Sequence, residues 1–171
     1  MSLTELVNTL WRQREALELL LFKMDEEQLL LAAGRGRWLA HATREVELVV
    51  DQIRHTEILR AIHSDAVAQE LGLRPNASLA ALSDAAPDPW RDMLRDHRTA
   101  FLALTAEVNA LAEANRDLLS SGQLSSGQLT SGQRAVREAM LAVTGAVQTY
   151  GGTGAVRDRY PPQSRTVEEA M

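Results

Sequence analysis

The chain has 171 residues, 45% apolar but only 4% aromatic, with no cysteine and a net charge of −5. That length holds one domain with a modest core. Lack of cysteine excludes disulfides, zinc–cysteine sites and thiol chemistry, and the acidic balance argues against a nucleic-acid binder, which needs a clustered positive face.

Alanine and leucine dominate the apolar fraction, and no alternating Val/Ile/Thr run stands out. The expected fold class is therefore all-α: a long antiparallel helical hairpin, a third long helix and a C-terminal amphipathic helix. The opening stretch MSLTELVNTLWRQRE has no apolar h-region and does not read as a secretory signal. The longest apolar run, LELLLF, is too short to span a bilayer. The expected location is the cytoplasm, without membrane insertion.

Residues 3–33 read as one helix. Leu3, Leu10, Leu17, Met24 and Leu31 recur at heptad spacing, with Leu6 and Leu20 completing a coiled-coil-like seam. Ser2 or Thr4 supplies a cap and Glu5 a first-turn acid. At 1.5 Å per residue the rod is about 45 Å long, and Gly34 and Gly36 end it. A second helix, from about Trp38 to Leu71, carries Leu39, Ala42, Val46, Val49 and Ile53, then Leu59, Ile62 and Ala66. The short loop between the rods makes them antiparallel. GLRPNASLAALSDAAPDP reads as a loop with one helical turn near residues 78–83. A third helix, from Pro89 to about Leu119, repeats Trp90, Leu94, His97, Phe101, Leu104, Val108 and Leu111 at three- and four-residue steps. Residues 1–119 form the expected helical body.

The body is followed by SSGQLSSGQLTSGQ, residues 120–133. Five helical residues turn about 140° net, so Leu119, Leu124 and Leu129 cannot share one stripe. Each glycine costs up to about 1 kcal/mol against alanine inside a helix. The repeat is either a flexible spacer or a weak extension of the third helix, and both readings decouple the C-terminal segment from the body. That segment, residues 134–150, has a clean apolar face, Val136, Met140, Val143, Val147 and Tyr150, which either takes another protein's helix or folds back to complete a four-helix bundle. Residues 151–171 read as a flexible tail.

Signs of chemistry are sparse. No glutamate has a histidine three positions on, so the di-iron bundle motif is missing. Asp51 and His55, four apart on one helix, could share a metal, but a surface pair is the simpler reading; His55 and His63 lack a third ligand. His97 lies on the apolar face of the third helix. GGTG at 151–154 precedes no helix start, the NAS at Asn76 matters only on export, and Arg35 with Arg37 suits a solvated turn. There is no P-loop, GxSxG elbow or cysteine nucleophile. No catalytic residue, metal or cofactor is expected, and the chain reads as a non-enzyme that holds another protein's apolar surface.

The order of these pieces resembles the FlgN-type flagellar export chaperone family. LLLFKMDEEQLLL before a short turn, the second helix LAHATREVELVVDQIRHTEILRA and the segment ANRDLLSSGQ are similar to successive parts of that family. Thr149, Tyr150, Gly151 and Gly154, in QTYGGTGA, resemble its C-terminal Tyr-Gly signature. The resemblance covers residues 3–156, and the SSGQL repeat departs from it. It implies a cytoplasmic type III export chaperone for hook–filament junction proteins, the hook-associated FlgK and FlgL type, whose coiled-coil termini self-associate before export. By the same resemblance, client binding falls on Val136, Met140, Val143 and Val147. Docking to an export gate component of the FlhA type falls on Tyr150, Gly151 and Gly154. A homodimer is left open. The alternatives are a generic helical adaptor or coiled-coil oligomer joined through the Leu3–Leu31 seam, and a metal-binding bundle.

Overall fold

In the computed structural model, described for residues 2–121 and 127–148, five helices follow one another. They are α1 (Ser2–Ala32), α2 (Gly36–Glu70), α3 (Leu79–Ala85), α4 (Trp90–Ser121) and α5 (Gly127–Gln148). The two long helices of the hairpin end in the same way. Gly34, at φ 64°, closes α1 with Arg35 N–H donating to Leu30 C=O at 2.9 Å and Gly34 N–H to Leu31 C=O at 3.1 Å. Gly72, at φ 70°, closes α2 through Leu73 N–H to Ala68 C=O at 2.8 Å and Gly72 N–H to Gln69 C=O at 3.2 Å. These are Schellman caps, and the left-handed position in each is one that glycine occupies without strain. The turn expected near 78–83 is α3, capped by the Ser78 hydroxyl accepting from Ala81 N–H at 3.2 Å.

Named contacts fix the direction of each rod. Ser2 at the start of α1 donates to Glu70 at the end of α2, and Thr43 near the start of α2 donates to Glu27 near the end of α1. α1 and α2 are therefore antiparallel, as expected. Trp11 packs on His97 and Asn115 bonds Met24, so α4 runs parallel to α1. Ser131 meets Glu47 and Glu138 meets Arg54, so α5 runs parallel to α2. α1 is flanked by α2 and α4, and α5 by the same two helices, which closes a four-helix bundle. The connection from α2 to α4 crosses the open end of this bundle diagonally. α3 lies in that crossing and seals the end with Leu79, Leu82 and Ala86, all buried.

The heptad of α1 points inward. Leu6, Leu10, Leu17 and Leu20 have no exposed surface and Met24 almost none. They meet Val46, Val49, Val50 and Ile53 of α2, Leu94, Phe101 and Val108 of α4, and the apolar face of α5 in one cluster. The seam that an oligomer would have used is thus consumed within the chain. On α2 the expected face holds to Ile53 and then fails: Ile62 is exposed, and Thr56, Arg60, Ser64, Val67 and Ala68 are buried in place of the predicted series. The reason is angular. Ile53 to Leu59 is a six-residue step, about 600° of turn, which leaves the face; Ile53 to Arg60 is seven residues and stays on it.

The segment after the repeat is not decoupled. The end of the repeat, GQLTSGQ, lies inside α5, which begins at Gly127, and α5 packs along both α2 and α4. The three-helix body leaves the α2–α4 side uncovered, and a periodic apolar face starting beside that side gains more by burial there than by staying in water. Residues 122–126, in the first part of the repeat, lie outside the described residues, as does the tail 151–171.

Candidate functional site

The structure gathers the apolar strip of α5 into a seat on α2 and α4. Val136, Met140, Val143 and Val147 are each 2% exposed or less, and Ala139, too small to stand out in a hydropathy pattern, joins them at 3%. They sit at steps of three and four residues on one helical face. Polar contacts hold the edge of α5 to α2: the Ser131 hydroxyl donates to Glu47 Oε1 at 3.3 Å, and Arg54 Nη2 lies 3.5 Å from Glu138 Oε2. Gly132 is buried against α2; a Cβ there would stand 3.0 Å from Thr43 Cγ2. An alanine there would require the Thr43 methyl, whose hydroxyl is held by Glu27, to give by a few tenths of an ångström. Tyr150, Gly151 and Gly154, the expected gate-docking residues, lie outside the described residues.

Beneath α5 the seat is partly polar. Arg60 forks onto the Glu57 carboxylate, with Nη2–Oε1 at 2.7 Å and Nε to both oxygens at 3.0 Å, and its Nη1 donates to the Ser64 hydroxyl at 3.2 Å. Gln13 of α1, fully buried, donates to Glu57 Oε2 at 2.6 Å. Removing either partner of this multiply bonded, largely buried pair leaves an uncompensated charge.

A second polar layer crosses the bundle near the hairpin end. Glu27 is 5% exposed, accepts from Thr43 Oγ1 at 2.8 Å, and faces Asn115 Nδ2 at 3.3 Å. Burial pushes its carboxyl above the ordinary range, against the opposing pull of the Thr43 and Asn115 hydrogen bonds. Asn115 also donates to Met24 C=O at 3.1 Å, which locks α4 to α1. At the other end His97 is buried, edge-on to Trp11 at 4.7 Å between ring centroids and stacked near Phe101. Burial, with Arg14 adding in the same direction, holds its imidazole below the usual value.

The other sequence candidates do not come together. Asp51 pairs with Arg54 at 3.0 Å and not with His55. His63 Nδ1 lies 2.8 Å from Thr9 Oγ1, and the Thr9 hydroxyl is also 2.9 Å from Glu5 C=O. Arg37 stacks over Trp38 at 4.8 Å. Among the described residues no three His, Cys, Asp or Glu side chains lie close enough to hold a metal, and no helix is long and apolar enough to cross a membrane. A feature without a signal in the sequence is the groove of about 400 Å³ at the hairpin end, where Leu29 and Trp38 are 70% and 50% exposed. Lys23 bridges Glu26 at 2.9 Å and Glu45 at 2.8 Å on its rim.

An all-α bundle with a docked amphipathic C-terminal helix can hold an apolar helix and offers no convergent set of reactive groups among the described residues. No curated protein and no solved structure matches the chain. The profile of one family, described as FlgN protein, matches residues 1–157, and the chain belongs to that family of flagellar export chaperones.

Proposed function

We propose that the protein is a cytoplasmic chaperone that takes a terminal helix of a hook–filament junction protein, of the FlgK or FlgL type, into the seat that α5 occupies. Holding that helix keeps it from premature association until delivery to the export gate. The observation that carries this reading is the position of the apolar strip. Val136, Met140, Val143 and Val147 are buried on a surface formed by α2 and α4, so α5 stands in for the client and leaves when the client arrives.

Two physical features favour exchange. α5 contains Gly127, Gly132 and Gly145 in 22 residues, and each interior glycine weakens the helix by up to about 1 kcal/mol. Release of α5 also frees its own apolar strip to cover the other side of a client helix, so both apolar faces stay buried in the complex. Ordering and rearrangement offset much of the gain, which suits a client that must be let go. Tyr150, Gly151 and Gly154, by their resemblance to the family signature, are assigned to docking on a gate component of the FlhA type.

Co-purification with a junction protein, followed by hydrogen exchange of α5, tests the reading. Client binding should raise exchange or change contacts across residues 134–148. A chain truncated after residue 133 keeps the seat but lacks the strip that covers the client's other side, and should bind the client more weakly. Equal binding by the truncated chain would reject the assignment of the strip. Tyr150→Ala should leave client binding intact and impair export.

A further inference from the structure

α5 does not fill its own seat. A groove of about 340 Å³ runs between α2 and α5, continuous with their interface, with Glu57, Arg60, Ala61 and Ser64 on the α2 side. The floor is rigid. Arg60 and Ser64 are 9% and 3% exposed, and the Glu57 carboxylate is shared between Arg60 and Gln13. On the α5 side Leu141, Ala142, Gly145 and Ala146 line the open edge of the groove, and Gly145 is exposed. A Cβ on Gly145 would meet no heavy atom within 4 Å, while Leu141, the large apolar side chain on the rim, is 67% exposed. Gly132, near the start of α5, is the opposite case, with Thr43 against the place of its Cβ. Helix interfaces normally interdigitate to the density of a core; at this edge α5 offers only two alanines, a glycine and an exposed Leu141, and the groove stays open.

Resting on the exchange reading above, we propose that this groove is the specificity pocket of the seat, and that it selects a partner helix carrying a long apolar side chain, methionine or leucine, where α5 has Gly145. The chemistry of the walls decides the class. The Arg60 guanidinium, the Glu57 carboxylate and the Ser64 hydroxyl already bond one another, so an apolar side chain takes no partner from them. A carboxylate would face Glu57 and Asp65, both of which line the groove. A cation would compete with Arg60 for Glu57 and uncover a buried guanidinium. The Ala61 and Ala77 methyl groups and the stem of Arg60 supply apolar wall.

The test uses the full chain and three synthetic peptides spanning residues 127–148: the natural sequence, Gly145→Ala and Gly145→Met. Binding is read by fluorescence anisotropy, and displacement by hydrogen exchange of α5 within the protein. Alanine over glycine reports helix propensity alone, up to about fivefold. Methionine should bind at least about tenfold tighter than alanine, because it alone reaches the groove. That advantage should vanish on a chain carrying Ala61→Leu, which fills the groove from α2. Equal binding of the Gly145→Met and Gly145→Ala peptides, with α5 displaced by both, would overturn the pocket and leave helix exchange standing. Failure of all three peptides to displace α5 would remove helix exchange itself, and the pocket with it.

Discussion

α1 and α5 feed the same core from diagonal corners of the bundle, yet they belong to it differently. α1 buries Leu6, Leu10, Leu17 and Leu20 completely and runs 31 residues without a glycine. α5 buries Val136, Met140, Val143 and Val147 as deeply, but on a glycine-bearing helix that leaves an open, partly polar groove at its edge against α2. Depth of burial is therefore a poor measure of commitment. What separates the two is how much each helix can hold by itself and how well its neighbours fill the space around it.

The comparison is open to breaking from its strong side first. Leu17→Ala should cost about 2–5 kcal/mol, lower the urea midpoint, and loosen every helix together. Val143→Asp, which buries a charge in α5, should act locally: the α5 amides lose hydrogen-exchange protection while those of α1 keep most of theirs. If Val143→Asp dissolves α1 as readily as Leu17→Ala does, α5 is an ordinary fourth helix. The glycines sharpen the contrast on a smaller scale. Gly132→Ala should destabilise by about 1–3 kcal/mol, because its methyl meets Thr43. Gly145→Ala, which meets nothing, should stabilise by up to about 1 kcal/mol in thermal melts.

The smallest effect is pH dependence. Glu27 binds its proton more tightly folded than unfolded. Its contribution is thus fully present below the ordinary carboxylate range and is lost as pH rises through the folded value. His97 has the opposite sign: its imidazole is held low, so its contribution is present above the ordinary histidine range and lost as pH falls through the folded value. Glu27→Gln should leave the His97 slope alone, with stability rising toward neutral pH in urea titrations. A slope unchanged by that substitution would remove Glu27 from the account.

Much of α1 was legible because heptad leucines and a following Gly34 state both a face and an end. The strip on α5 was equally legible as a strip. Its destination was not, because a periodic apolar face looks the same whether it awaits a client or lies against its own chain. The lower half of α2 misled for a related reason. Leu59, Ile62 and Ala66 suggested a buried face, and Ile62 is 57% exposed while the other two are only half-buried. Arg60, a charged residue that no hydropathy pattern places inside, is buried because Glu57 and Ser64 satisfy its guanidinium and Gln13 steadies Glu57. Gln13 and Glu57 are 44 positions apart, on two different helices.

The sequence by itself determined the helices, most of their ends and the Tyr-Gly resemblance, since propensity, periodicity and glycine caps act over a few neighbouring residues. Only the tertiary structure decided that α5 closes the bundle, that the α1 seam packs within the chain, and that a groove is left beside Gly145. Those outcomes depend on which surfaces the other helices leave uncovered, and on packing between residues far apart in the chain.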